Sequence, residues 1–115
     1  MIVAYMAHPV GGDVPGNIAK AKRWLTFLQR TYPDRAFVAP WIDWIEFAEG
    51  LDDADPKARE IGMQRDLAVV RRCDEIWLVG GYLSPGMKRE EHEFLLFAQG
   101  VGVRAQHLMT VEPPQ

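Results

Sequence analysis

Sulfur chemistry is nearly absent from this chain, in which Cys73 is the one cysteine. A single thiol closes no internal disulfide and builds no zinc cluster, which fits a reducing, intracellular setting and predicts a cytoplasmic protein. Histidine is sparse too, with three in 115 residues. No His or Cys pair stands at ligand spacing, so no metal site is expected. Long apolar runs are missing: Ile2–Ala7 ends at His8 and Ile76–Val79 ends at Gly80, far short of the roughly 20 residues that cross a bilayer. Met1 enters the first of these runs without a basic n-region, so the segment reads as a strand rather than a leader. The formal net charge of −3 argues against a general nucleic-acid or membrane-surface binder. Also missing is a Gly-x-Gly-x-x-Gly fingerprint, since His8-Pro9-Val10-Gly11-Gly12 follows the first run. That sets aside a plain dinucleotide binder.

What is present is ordinary globular material, 48% hydrophobic and 25% charged, enough for one domain over residues 1–115 with a real core. Strand and helix signals alternate. Strands are predicted at Ile2–Ala7, Ala36–Ala39 and Glu75–Val79, with a last one inside Arg104–Val111. Helices are predicted at about Gly16–Thr31, from Asp55-Pro56 to about Arg72, and at Met87–Gln99, ended by Gly100-Val101-Gly102. A short helix is placed near Trp44–Glu49, inside a long connection opened by Pro40, and Glu112–Gln115 reads as a tail. Repeated β-α-β units demand right-handed crossovers and a parallel sheet, whose ligands sit at the carboxyl ends of the strands. The expected fold class is therefore α/β, a Rossmann-like three-layer sandwich of four to five strands in the order 2-1-3-4, any fifth at the edge.

Asp74–Glu90 is the most informative stretch. A buried strand breaks at Gly80-Gly81, passes Ser84-Pro85-Gly86 and turns helical, bringing backbone N–H groups together as an anion would need. Glu90 heads a stripe with Met87, Phe94 and Phe97, which turns it toward the sheet edge. Glu91 heads a second stripe with Leu95 and Ala98, so periodicity alone does not choose between the two; a dipole-complementing Glu is the plain alternative. Asp66 shares a stripe with Met63, Val70 and Cys73, an awkward place for a charge without a partner, Arg59 or Arg65 being candidates. Two carboxylates converging on one cleft are what glycosidic bond cleavage requires.

Around them stand Ser84 and Gly86 as phosphate ligands or a simple turn, and Tyr5 as an orienting phenol or a core aromatic. Met87 and His8 are further candidates for ligand contact, and Trp41 with Trp44 could stack on a base, fill the core or meet a subunit.

These residues, in this order, resemble the nucleoside 2-deoxyribosyltransferase-like family, which includes N-glycosidases of nucleoside 5′-monophosphates. The resemblance runs through Tyr5-Met6-Ala7-His8-Pro9, the pair Asp66 and Asp74, and Ser84-x-Gly86-x-x-x-Glu90. It implies a flavodoxin-like sheet, homo-oligomers and no cofactor. It further implies Glu90 as nucleophile, Asp66 as the group that protonates or positions the base, Tyr5 as orienter of Glu90, and Ser84 with Gly86 at the 5′-phosphate. The chain departs from the family pattern at Val10, where the hydrolases carry a phosphate-binding Arg nearby, and at Glu91-His92-Glu93, where small residues are usual.

The expected function is cleavage of the N-glycosidic bond of a nucleoside or its 5′-monophosphate, by hydrolysis or base exchange. The rival is a non-catalytic nucleotide-binding module of the same fold. The expected partners are the small-molecule nucleoside or nucleotide and a second copy of the chain, with no nucleic-acid polymer and no membrane. Four Trp, three Tyr and five Phe are many large groups for so small a domain to bury alone.

Overall fold

The computed structural model describes residues 1–47, 55–97, 104–108 and 110–114. Three parallel strands form the centre: β1 (Ile2–Ala7) lies between β2 (Arg35–Val38) and β3 (Glu75–Val79). β4 (Arg104–Leu108) runs parallel along the other side of β3, giving the order β2-β1-β3-β4. No fifth strand occurs among the described residues. Ala4 through Ala7 and all of β3 are buried, and a strand buried at every position has both faces covered. This is the α/β class that the alternating pattern predicts.

Four helices connect and cover the strands: α1 (Val14–Thr31), α2 (Pro40–Phe47), α3 (Pro56–Val70) and α4 (Pro85–Phe97). α1 begins two residues before the expected Gly16, because Asp13 is its cap and accepts from Gly16 N–H at 3.1 Å. Its buried stripe is Ile18, Ala21, Trp24 and Leu28. Asp55 and Pro56 start α3 as the sequence predicts, with the Asp55 carboxylate accepting from Lys57 N–H at 3.0 Å.

Two starts differ from expectation for one reason. β2 ends before Pro40 as expected, but the helix placed near Trp44–Glu49 already starts at Pro40, the first residue of α2. Pro85 likewise opens α4 two residues before Met87. Proline lacks only an N–H that a first helical turn leaves unpaired, and its φ is preset for the helix. The expected helix ends beyond Phe47 and Phe97, and Gly100–Gly102, lie outside the described residues.

Glu112, in the expected tail, and Val111 just before it are tied to α1. Arg23 donates to both oxygens of Glu112 at 3.1 and 2.9 Å, and Trp24 Nε1 donates to the Val111 carbonyl at 3.1 Å. At the opposite, amino-terminal edge of the sheet, Arg35 donates to buried Glu75 through two nitrogens at 2.7 and 3.2 Å. Trp77 Nε1 adds a third donor to Glu75 at 2.9 Å. No described helix is long and apolar enough to cross a membrane.

Candidate active site

β1 ends, β3 ends and α4 begins at one edge of the sheet, and a cavity of about 270 Å³ opens there. His8, Trp41, Trp44, Met63, Asp66 and Tyr82 line it, together with Arg59 and the α4 start, Ser84, Gly86, Met87 and Glu90. Such an edge is where open parallel sheets place ligands.

Glu90 is the central group. Its position one turn into α4 turns it inward beside Met87 and Phe94, and it is only 6% exposed. The phenol of Tyr5, on the carboxyl half of β1 and fully buried, donates a hydrogen bond to Glu90 Oε2. Periodicity left Glu90 and Glu91 equivalent; in the fold Glu91 is half-buried and Glu90 is the one that meets Tyr5. Glu93 pairs instead with Arg71 at 2.6 Å. Burial pushes the Glu90 carboxyl up to about 8, the Tyr5 hydrogen bond pulling it down and the charge of Asp66 adding to the rise. Tyr5 is itself held well above the usual phenol range by burial and by the neighbouring Glu90.

Asp66 comes from the opposite wall. α3 carries it inward beside Leu67 and Val70, 7% exposed, and Trp44 Nε1 on α2 donates to its Oδ1 at 3.0 Å. Arg65 lies over the Trp44 ring, 5.5 Å from its centroid. One turn before Trp44, Trp41 Nε1 donates to the Met6 carbonyl at 2.9 Å, which fixes α2 to the end of β1.

Ser84 caps α4. Its hydroxyl oxygen accepts from Met87 N–H at 3.2 Å and its carbonyl from Lys88 N–H at 3.0 Å. Pro85 has no N–H, so of the first four positions of α4 only Gly86 keeps a donor outside these bonds. The anion seat expected at the helix start is therefore narrower than the sequence suggests, although the Ser84 hydroxyl can still donate its proton.

His8 is 4% exposed, stacks at 12° on Trp41 with centroids 6.5 Å apart, and bonds through Nδ1 to the Pro9 carbonyl at 2.7 Å. Burial lowers its pKa, so the ring is neutral, Nδ1 carries the proton and donates it to that carbonyl. A Cβ on Gly80 would sit 2.5 Å from the His8 ring and 2.7 Å from Pro9 Cδ, and Gly80 has φ +107°. Only glycine serves both requirements. Gly81, at φ +104°, receives Val111 less closely, 2.9 Å from where its Cβ would stand.

Residues 2–98, which contain every side chain named at the cavity, match the family described as Domain of unknown function (DUF7768). The chain belongs to that family. No curated protein matches it.

Within this DUF7768 domain, the sequence-selected residues Asp66, Ser84, Gly86, Met87, Glu90, His8 and Trp41 line the same cavity, with Tyr5 behind Glu90. Sequence reasoning missed Arg59, Met63 and Tyr82 as lining residues, and missed the contact of Trp44 with Asp66. Trp44 was legible in part, since it follows Trp41 by three positions, and on a helix that spacing shares a face. Tyr82 carried a weaker signal, an aromatic in a glycine-broken loop. Among the described residues no group of His, Cys, Asp and Glu could hold a metal ion.

Proposed function

We propose that this domain cleaves the N-glycosidic bond of a nucleoside or (deoxy)nucleoside 5′-monophosphate, as a member of the nucleoside 2-deoxyribosyltransferase-like group with a flavodoxin-like three-layer fold. The observation that carries the reading is Glu90, hydrogen-bonded by buried Tyr5 and facing a cavity it shares with Asp66. A sugar would enter between the two carboxyls with its hydroxyls toward Ser84 and Gly86. The base would lie along Trp44, Met63 and Tyr82.

Burial and the charge of Asp66 hold a proton on Glu90 while the cavity is empty. In the reaction that proton passes to Asp66, so the two carboxyls carry one proton between them until the base leaves with it. The freed Glu90 oxygen attacks the anomeric carbon and forms a C–O bond as the C–N bond breaks. The electron pair of the broken bond goes to the base nitrogen, which takes the proton from Asp66. Water then attacks the same carbon, the C–O bond to Glu90 breaks, and Asp66 accepts a proton from the water. A second base in place of water gives base exchange. Tyr5 keeps the Glu90 carboxylate aimed during both displacements.

Large apolar side chains at the end of α4, Leu95, Leu96 and Phe97, are more than half exposed. They support assembly as a homodimer or larger homo-oligomer.

The test is incubation with a panel of nucleosides and 5′-monophosphates, reading released base by chromatography. Glu90→Gln should reduce release by several orders of magnitude and leave ligand binding in place. Ligand binding by the wild type without base release from any compound would make the domain a nucleotide-binding module instead.

A further inference from the structure

Asp66 meets the indole of Trp44 through one oxygen only, Oδ1, at 3.0 Å from Nε1. An indole N–H donates and never accepts. A carbonyl oxygen accepts more strongly than a hydroxyl oxygen, so the indole N–H on Oδ1 favours that atom as the carbonyl oxygen of a protonated Asp66. Trp44 thus biases which oxygen of Asp66 carries the proton and holds the plane of the carboxyl. The indole has a second contact that bears on its role. The Arg65 guanidinium stacks over the ring, and Arg65 does not line the cavity whereas Trp44 does. The cation holds the ring from outside and leaves the cavity side for a ligand.

We propose that Trp44 is a positioning residue that couples the leaving group to its acid: its N–H orients Asp66, and its ring packs against a flat heteroaromatic base. This rests on the glycosidic reading given above. α2 supports the arrangement, since Trp41 anchors the helix to β1 through the Met6 carbonyl. The base is then held by the same side chain that aims the proton at it. A ligand without an aromatic leaving group would lose the stacking contact while meeting the same two carboxyls.

Two substitutions separate the two roles. Trp44→Phe keeps a ring and removes the donor. Trp44→Gln removes the ring and keeps an N–H donor the same number of bonds from the backbone. For an accepted nucleoside, Trp44→Phe should lower kcat about 10- to 100-fold, as a misaimed catalytic group does, with KM within about threefold. Trp44→Gln should raise KM by tenfold or more and keep kcat above that of Trp44→Phe. On an Asp66→Asn background Trp44→Phe should change kcat by less than about twofold, because the two residues act as a unit. A kcat for Trp44→Phe equal to wild type, or a full additional loss on the Asp66→Asn background, overturns the proposal. If one variant does not fold, the kcat and KM of the other against wild type decide the matter. Absence of base release in the wild type defeats the glycosidic reading and this inference with it. A wild-type enzyme that is active but indifferent to Trp44 defeats the inference alone.

Discussion

Tyr5 and Glu90 stand 85 positions apart in the chain, and their side chains meet in a hydrogen bond inside a site that covers both. The phenol donates to Glu90 Oε2, so one carboxyl oxygen is spoken for and the carboxyl cannot rotate freely. Burial opposes charge on Glu90, and the phenol works against that opposition.

The pH dependence follows from this contest. Glu90 is held up to about 8 against an ordinary 4.5. The reaction consumes the proton that Glu90 and Asp66 share, so base release, read as kcat/KM, should fall as pH rises through about 8 in the free enzyme. Stability should fall over the same window. The folded state binds the Glu90 proton more tightly than the unfolded chain, so this contribution is fully present below about 4.5 and is lost as pH climbs to about 8. Glu90→Gln should remove that slope from a series of thermal melts. A wild type and a variant with parallel melting-temperature profiles over this window would contradict the assignment.

Tyr5→Phe should push the Glu90 carboxyl higher still, because the phenol's hydrogen bond pulls it down against burial and the charge of Asp66. The activity profile should shift to more alkaline pH and kcat should fall about 10- to 100-fold through lost aim. The phenyl ring refills the core position, so the stability cost should stay near 1 kcal/mol. A denaturant titration at fixed pH checks the second part independently of activity.

Gly80→Ala should be among the most damaging single-methyl additions in the protein. The new Cβ meets the His8 ring and Pro9 at under 3 Å, and φ is +107°. Left-handed backbone and overpacking together should cost about 2–4 kcal/mol. The surviving folded fraction should bind ligand more weakly, because His8 lines the cavity. Urea melts measure the first effect and calorimetric titration the second.

Arg35→Met should destabilise by about 3–5 kcal/mol, because Glu75, 1% exposed, would lose its bidentate ionic partner. Adding Glu75→Gln should recover part of that loss, since a neutral amide is cheaper to leave in place. Additive losses in the double variant, measured by chemical denaturation, would show that the two side chains do not depend on each other.

Assembly gives a prediction of another kind. Light scattering at micromolar concentration should report a dimer or larger species. Leu96→Glu, at an exposed position on α4, should shift it toward monomer without lowering the melting temperature of the monomeric fold.

The alternation of strands and helices was legible because buried parallel strands and amphipathic helices carry different apolar periods. Asp55 and Pro56 mark a helix start by side-chain chemistry local to one turn, whereas Asp13, read as loop, turns out to be the cap of α1. Pro40 and Pro85 concealed two helix starts, since proline serves equally in a chain break, a turn and a first helical position. The site was legible where a residue's awkwardness showed locally, as with Asp66 on an apolar stripe. It was not legible where the answer depends on a meeting between distant elements. The choice of Glu90 over Glu91 needed Tyr5 in place, the partner of Asp66 needed α2 in place, and the reach of Arg59 and Tyr82 to the cavity needed both walls.

The wide separation of Tyr5 from Glu90 also sets a clock on the newborn chain. A ribosome adding roughly 5–20 residues per second needs about 4–17 s to travel the 85 positions between them. Through most of that interval β1 lacks its β3 neighbour, and through all of it the carboxyl that receives its phenol, because Glu75–Val79 and Glu90 are made late. The apolar strand that lies between β2 and β3 is thus made before both of its neighbours. Its exposure to other chains is longest when synthesis is slow.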